Sequence, residues 1–225
     1  QIQWVVVSFV LTYSVLLLPA GRLGDRVGHG RIMVIGIVIQ GLAFIGCSVA
    51  PSFALFLLAR VCQGASMALI LGTAPALVTL SVPEKHQPRA LGVFAMTTAV
   101  GLAAGAPVGG LLLQLWDWQS VYAFRIPYMG VLMVAALISG LHKKTTMKSK
   151  QPLDLFGAVT FALGLGLTLF VASRGLAWGW MTPITIVLAM VALAALVIFY
   201  RVEKQARLPL VDMSLFRKPG FGRAN

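Results

Sequence analysis

The chain is apolar and basic, and this combination excludes most classes of soluble protein. Of its 225 residues, 59% are hydrophobic and 11% are charged, and 18 Lys and Arg against 6 Asp and Glu give a net charge of +12. A soluble domain has roughly 45–50% apolar and about 25% charged residues, and a disordered chain has low hydrophobicity. Two cysteines cannot staple a disulfide scaffold of this size. The composition therefore predicts a polytopic membrane protein.

Seven apolar runs are long enough to cross a bilayer, because a hydrocarbon core about 30 Å thick requires roughly 20 helical residues. Each run is continuously apolar and lacks the alternation of a barrel strand, so an all-α fold, a polytopic transmembrane helical bundle, is predicted. In chain order the predicted spans cover residues 4–20, 32–50, 53–82, 91–115, 121–141, 153–172 and 183–200.

The basic residues predict the orientation of these spans, because short cytoplasmic loops collect Lys and Arg. Fifteen of the 18 fall on one side, within residues 22–31, 85–89, 143–150 and 201–223, and all five tryptophans fall near the other side. We therefore expect residue 1 outside and residue 225 in the cytoplasm. The positive charge then marks topology, and no nucleic-acid partner is predicted. A chain that starts outside without an initiator Met or a signal peptide is interpreted as an interior piece of a longer protein.

One internal boundary is predicted, at a polar segment that carries four lysines. Residues 1–141 are expected to form five helices of a compact bundle, and residues 142–152 a cytoplasmic linker. Residues 153–200 are expected to form a further helix pair, and residues 201–225 a cytoplasmic segment that leads to the next helix.

The densest charged cluster, residues 21–31, is predicted to form a tight cytoplasmic turn, here named the Asp25 turn. Glycine at positions 21 and 28 allows close approach of a neighbour and a sharp reversal of the chain, respectively. The Asp25 carboxylate can pair with an arginine or face a helix N-terminus, and such contacts can break in another conformation. A basic anchoring turn is the alternative. The candidate residues are Gly21, Leu23, Asp25, Arg26, Gly28 and Arg31.

Arg60 is embedded in the third predicted span, where a permanent charge costs about 2.5–3.5 kcal/mol on the insertion scale. Gln63 and Gly64 follow at i+3 and i+4, so the three residues share one helix face. The functional interpretation is a buried polar site on a transport path. The alternatives are a structural tether to backbone carbonyls and snorkelling of the side chain towards the outer surface.

The fourth predicted span is rich in glycine. A spacing of four aligns three of the glycines in a stripe that allows two membrane helices to pack closely, and the proline among them is expected to kink the helix. The stripe is interpreted either as a moving or sealing element or as a static packing face. The residues are Gly92, Gly101, Gly105, Pro107, Gly109 and Gly110.

The remaining titratable residues are given structural interpretations. His29, His86 and His142 lack metal-site spacing and are expected to be solvated. Among the acids, Asp154 is a candidate helix cap, whereas the others outside the Asp25 turn are predicted to lie in loops. No carboxylate is predicted deep in a span, although a proton-coupled carrier usually needs a protonatable group there. The acids assigned to loops are Glu84, Asp117, Glu203 and Asp212.

Three motifs in order resemble those of the major facilitator superfamily, in particular its fourteen-helix drug:H⁺ antiporter branch. Residues 21–31 resemble its cytoplasmic loop G-x-L-a-D-R-x-G-r-k, with His29 and Gly30 in place of the usual basic pair. Residues 56–64 resemble the pattern l-x-x-x-R-x-x-q-G of its fourth helix. Residues 92–110 resemble the antiporter signature G-x8-G-x3-G-P-x2-G-G, with the proline displaced by one position. On this mapping the chain resembles about helices two to eight.

The resemblance implies a transporter, not an enzyme, that exports drugs or other lipophilic toxic compounds by alternating access. It implies H⁺ as the coupling ion, with no cofactor and no metal, and it implicates Arg60 in proton coupling. Its implied partners are a lipophilic substrate, the lipid bilayer of the bacterial inner membrane and a C-terminal half of the same chain. The resemblance does not decide whether partner proteins bind on the outer side of the membrane. The alternatives are an exporter of a metabolite, peptide or siderophore from the same superfamily, and a non-transporting membrane sensor or structural membrane protein.

Overall fold

The computed structural model describes residues 2–141 and 155–205, and all secondary structure in these ranges is helical. The chain divides into two compact units, Gln1–Lys150 and Gln151–Asn225. The helices of the first unit are α1 (Ile2–Val27), α2 (His29–Val49), α3 (Phe53–Leu80), α4 (Gln87–Leu115), α5 (Ser120–Ala123) and α6 (Arg125–Ile138), with a 3-10 turn at Glu84–His86. Those of the second unit are α7 (Leu155–Trp178) and α8 (Pro183–Gln205).

Seven helical segments of the described ranges are long and apolar enough to cross a membrane, with α5 and α6 together forming one of them. The prediction of an all-α bundle with seven spans is therefore confirmed. Large apolar side chains along these helices are exposed, as expected for surfaces that face lipid. The linker at 142–152, together with Asp154 and residues 206–225, lies outside the described residues.

Helix α3 is the centre of the first unit, because it packs along both α1 and α2. Its N-terminus is capped by Ser52, whose hydroxyl accepts a hydrogen bond from the Leu55 amide at 3.3 Å. Helices α2 and α3 carry most of the buried residues of the unit, among them Phe44, Cys47 and Ala68. Small residues let membrane helices approach closely, and the α2–α3 seam uses Gly36 and Gly46 in this way.

Helix α4 has a different environment, although it continues the same apolar pattern. It contacts α3 and α5, but Leu112 is its only buried residue within the described structure. The helix runs without interruption through Pro107. Most of the α4 surface is therefore available to lipid or to another helix.

An aromatic cluster lies at the end of the bundle where the tryptophans collect. The Phe56 ring meets Trp118 edge to face at a centroid distance of 5.1 Å and Tyr122 at 5.6 Å. These contacts join α3 to Trp118, in the segment between α4 and α5, and to Tyr122 of α5. Aromatic side chains with a polar edge are favoured at both membrane–water interfaces, and the outer position of this end stays a prediction from the distribution of basic residues.

The second unit is a helical hairpin in which α7 packs against α8. Gly179 takes a φ of 88° in the connection, and Phe161 and Phe199 contact each other with ring centroids 5.2 Å apart. Glu203 lies inside α8 and is 2% exposed, so the prediction that it occupies a loop is wrong. The reason is that charged residues at the membrane edge do not end a helix, and α8 continues past the apolar run.

Candidate functional site

The Asp25 turn is shorter than predicted, because most of its residues continue α1. The helix extends to Val27, and the reversal occurs at Gly28 alone, with φ 111° and ψ 124°. Residues other than glycine rarely adopt this backbone conformation. The side chains of Asp25, Arg26 and Arg31 are exposed at this end of the bundle, whereas Leu23 is half-buried.

His29 is buried, so the prediction that it is solvated is wrong. It is the first residue of α2 and is 5% exposed. Its Nε2 lies 3.1 Å from Asp25 Oδ1, while its Nδ1 lies against the backbone of Gly24, where Thr73 of α3 also packs. The tight reversal at Gly28 folds the ring back against α1, and the sequence pattern did not indicate this contact.

Gly21 lies at a close crossing of α1 and α3. A Cβ atom built on Gly21 would be 3.3 Å from the carbonyl oxygen of Gly72, and one built on Gly72 would be 3.0 Å from the Gly21 nitrogen. The two backbones therefore touch near the end of the bundle that carries Asp25. This is the close approach that the glycine at position 21 suggests, and its partner Gly72 was not singled out in the sequence.

Arg60 joins α3 to α1 through its guanidinium group. Its Nε donates to the Val5 carbonyl oxygen at 2.9 Å, and its Nη1 donates to Gln63 Oε1 at 2.7 Å. The guanidinium also lies over the Phe9 ring, 4.7 Å from its centroid. Hydrogen bonds and a cation–π contact offset the desolvation of a charge within a span. The tether to a backbone carbonyl, one of the alternatives from the sequence, is thus present, and Gln63 shares the same polar group.

Gly64 makes the approach of α1 to Arg60 possible. A Cβ at this position would lie 2.6 Å from the Phe9 carbonyl oxygen and 2.9 Å from Thr12 Cβ. Both distances are shorter than real Cβ atoms allow, so a larger residue would require the two helices to move apart. The site around Arg60 therefore depends on the glycine one turn further along α3.

A second polar group continues from the Arg60 site into the α2–α3 seam. Gln63 is 4% exposed, Ser66 is fully buried and Gln40 of α2 is 5% exposed. The Ser66 hydroxyl contacts Gln40 Oε1 and lies 2.8 Å from the Gln63 carbonyl oxygen. Arg60, Gln63, Ser66 and Gln40 thus form one polar chain that connects all three helices, here named the Arg60 network.

The contribution of Gln40 and Ser66 was not anticipated from the sequence. An amide in the middle of an apolar run was the available signal for Gln40, since polar side chains within spans usually face other helices. Ser66 gives no comparable signal, because serine is common in membrane helices as a small residue.

The glycine stripe of α4 is exposed and lacks a packing partner within the described residues. No described atom lies within 4 Å of a Cβ built at its three glycines, Gly101, Gly105 and Gly109, or at the two other glycines of the motif, Gly92 and Gly110. The structure therefore does not bring the stripe together with the Arg60 network or with the Asp25 turn.

Comparison with known proteins places this arrangement in a family. The model of the Major Facilitator Superfamily matches residues 1–216. The chain is 31% identical over 224 residues to the multidrug resistance protein Stp of Mycobacterium tuberculosis, covering 99% of the chain and 41% of that protein. It is 36% identical over 216 residues to the uncharacterized MFS-type transporter EfpA of the same species, covering 96% of the chain and 40% of EfpA.

A third relative is named for resistance to one antibiotic. The methylenomycin A resistance protein of Streptomyces coelicolor is 31% identical over 229 residues, covering 100% of the chain and 47% of that protein. The chain thus spans less than half the length of these three relatives.

The family match, the seven spans and the order of the motifs agree with one another. This chain is a multi-pass membrane protein and belongs to the major facilitator superfamily.

Proposed function

We propose that the chain is part of an alternating-access exporter that moves lipophilic drugs or related toxic compounds out of the cytoplasm in exchange for H⁺. The names of two relatives, a multidrug resistance protein and a methylenomycin A resistance protein, support export of drug-like compounds. The relatives cited are bacterial, which supports a place in the bacterial cytoplasmic membrane. The drug-like substrate, the coupling ion H⁺ and the remainder of the transport path are proposed for the whole transporter, of which this chain is a part.

The observation that carries the proposal is the Arg60 network. A guanidinium group held between α1 and α3 is costly in a membrane, and here it both tethers the two helices and places a positive charge where they meet. Because Arg60 bonds to the Val5 carbonyl oxygen of α1, movement of α1 relative to α3 would break this bond and change the hydration of the guanidinium group, whereas its bond to Gln63 lies within α3. A change in helix packing would therefore change the electrostatic effect of Arg60 on the affinity of a neighbouring group for H⁺.

The Asp25 turn has the complementary role at the cytoplasmic end. Its exposed carboxylate and its flanking arginines can form contacts with another segment of the transporter that close the inner side. Opening of the inner side would break those contacts, and closure would form them again. The tight crossing of Gly21 and Gly72 makes α1 and α3 move together at this end.

The glycine stripe of α4 is the third element of the proposed mechanism. It is a surface on which a helix outside the described residues packs. Close packing of glycine faces limits leakage of ions along the interface. The exposure of α4 supports this role, because the stripe has room for a backbone to approach it.

Efflux by the full-length protein in a bacterial host that lacks its own exporters tests the proposal. We expect wild-type cells to expel a lipophilic fluorescent dye, and Asp25→Asn and Arg60→Ala to reduce the rate about tenfold, the effect of losing about 1.4 kcal/mol of stabilisation. The amount of protein in the membrane is measured by immunoblot.

Matched controls separate the proposed roles from a general loss of charge. Glu84→Gln removes an exposed acid from the 3-10 turn, and Arg89→Ala removes an exposed cation from α4, so both should retain efflux. Normal efflux by both Asp25→Asn and Arg60→Ala, at normal protein levels, would contradict the roles assigned here. Absence of dye efflux from wild-type cells, with efflux of a polar metabolite or siderophore instead, would favour the alternative exporter.

A further inference from the structure

A cavity of about 800 Å³ lies beside the aromatic cluster of Phe56, Trp118 and Tyr122. It is bounded by the first turns of α1 and α3, by the last turn of α4 and by α5. Besides Ser52, the lining residues that the structure describes have aliphatic or aromatic side chains. Sites for small molecules are usually cavities of about 300–1,000 Å³ with a largely apolar lining and few polar groups. The cavity thus has the size and the lining of a ligand site.

The three rings of the aromatic cluster form one wall of this cavity. Each ring meets the other two edge to face, with centroids 5.1, 5.6 and 6.3 Å apart. Phe56 is buried and holds the wall in place, whereas Trp118 is 45% exposed, so part of its indole remains open to a ligand. Aromatic rings pack favourably on one another in stacked and edge-to-face arrangements. The wall therefore suits a lipophilic ligand that contains an aromatic ring.

Two guanidinium groups lie close to the same wall. Arg60 follows Phe56 by four residues in α3, so it lies one turn further along the same helix face. Arg125, the first residue of α6, follows Tyr122 by three residues. Tyr122 lies within range of the positive charges of both arginines. Any ligand that contacts the aromatic cluster is therefore near two fixed positive charges.

The surroundings of these two arginines do not cancel their charges. The groups shown in contact with them are neutral: a carbonyl oxygen, an amide and aromatic rings. Asp117 precedes Trp118 in the chain, but its side chain is exposed and lines a separate surface depression. Because solvent and salt screen an exposed carboxylate, Asp117 offsets little of the positive charge at the cavity.

We propose that this cavity is a binding site for aromatic organic anions, which pack on the aromatic cluster and are attracted by Arg60 and Arg125. The face of an aromatic ring alone attracts cations, but the two arginines oppose a cationic ligand here. A neutral compound with the same ring system should bind with intermediate affinity. That the cavity receives the exported compound rests on the proposed function, whereas binding itself does not.

Equilibrium binding to the purified full-length protein in a neutral detergent tests the proposal, with binding to the detergent alone subtracted. The probes are tritiated pyrenebutyrate, pyrenebutanol and pyrenebutyl-trimethylammonium, which share one ring system and differ in charge. We expect pyrenebutyrate to bind about tenfold more tightly than the ammonium probe, because charges interact strongly where water is largely excluded. The affinity for pyrenebutanol should lie between these two.

Three variants locate the site and test its charge. Trp118→Ala removes part of the aromatic wall and should weaken pyrenebutyrate binding about tenfold. The matched control Trp116→Ala removes a tryptophan that is also exposed but lines the separate depression, so it should bind like the wild type. Arg125→Gln should weaken pyrenebutyrate binding about threefold, strengthen binding of the ammonium probe and leave pyrenebutanol unchanged.

Three results would overturn the proposal. Equal pyrenebutyrate affinity of Trp118→Ala and Trp116→Ala would place binding elsewhere, as when another segment of the full-length protein fills the cavity. Binding of the ammonium probe by the wild type at least as tight as that of pyrenebutyrate would contradict an anion site. An equal loss of all three probes in Arg125→Gln would show that its charge does not select the ligand. None of these measurements requires transport, so absence of drug efflux would contradict the proposed function and leave this proposal standing.

Discussion

At the scale of single residues, the site depends on a few atoms that bring α1 and α3 together. Arg60 reaches Val5 because Gly64 leaves space for the α1 backbone beside Phe9. The charge and the glycine four residues later therefore form one unit, in which the glycine sets the distance and the guanidinium makes the contact.

Replacement of Gly64 by alanine should weaken this unit. The added Cβ would lie 2.6 Å from a backbone oxygen of α1, so the helices must separate. We expect a loss of about 1–3 kcal/mol of stability, the usual effect of overpacking. Thermal unfolding of the purified full-length protein, followed by circular dichroism, measures it.

The matched control is Gly41→Ala, at a helix contact that has room for the methyl group. Its Cβ would meet Met129 Cβ at 3.7 Å, an ordinary contact distance, so the melting temperature should change little. Equal melting temperatures for Gly64→Ala and the wild type would show that α1 and α3 are not packed as described.

Residues differ in how far their surroundings could be predicted from the sequence. Arg60 was identified because a charge inside an apolar run is conspicuous, and Gly64 because it lies on the same helix face. The burial of His29 was missed, because its environment is created by a reversal at one glycine and by a side chain of α3, Thr73, distant in sequence. Hydropathy describes single positions, whereas burial of a polar ring depends on long-range packing.

At the scale of helices, the seven spans could be predicted because bilayer thickness sets their length. Their ends could not, because apolar runs stop where charges begin whereas helices continue beyond that point. Helix α1 reaches Val27 and α8 reaches Gln205, since Arg and Glu are acceptable helix residues. What ends α1 is the positive φ of Gly28, a local backbone property.

The exposed face of α4 yields a prediction at this scale. Gly105→Leu fills the glycine stripe, and no atom of the described residues lies within 4 Å of the Cβ that it adds. Membrane insertion and thermal stability of the bundle should therefore be retained, while dye efflux should fall or proton leak should rise, because the partner helix can no longer approach. Dye efflux and pH decay in loaded vesicles measure these effects.

Ala103→Leu provides the control, because position 103 points about 200° away from Gly101 on the helix and so lies opposite the stripe of Gly101, Gly105 and Gly109. It is also exposed, so it adds the same side chain to the opposite face of α4. We expect normal efflux and no leak. Identical behaviour of Gly105→Leu and Ala103→Leu would exclude a special role for the stripe.

At the scale of the whole molecule, the distribution of charge predicts orientation. In a background of Cys47→Ala and Cys62→Ala, single cysteines are introduced as Lys85→Cys or Asp117→Cys at exposed loop positions. A membrane-impermeant maleimide should label Asp117→Cys in intact cells and Lys85→Cys only after lysis. The reverse pattern would contradict the predicted topology and the cytoplasmic position of the Asp25 turn.

The central claim is that Arg60 links drug movement to proton movement, and proton release from acid-loaded proteoliposomes tests it most directly. Purified full-length protein is reconstituted, a pH gradient is imposed, and a lipophilic drug is added while a dye reports internal pH. The account predicts that the drug accelerates collapse of the gradient with wild-type protein and with Arg89→Ala, but not with Arg60→Ala. A drug response of equal size with Arg60→Ala, or a gradient that the drug leaves unchanged with wild-type protein, would contradict it.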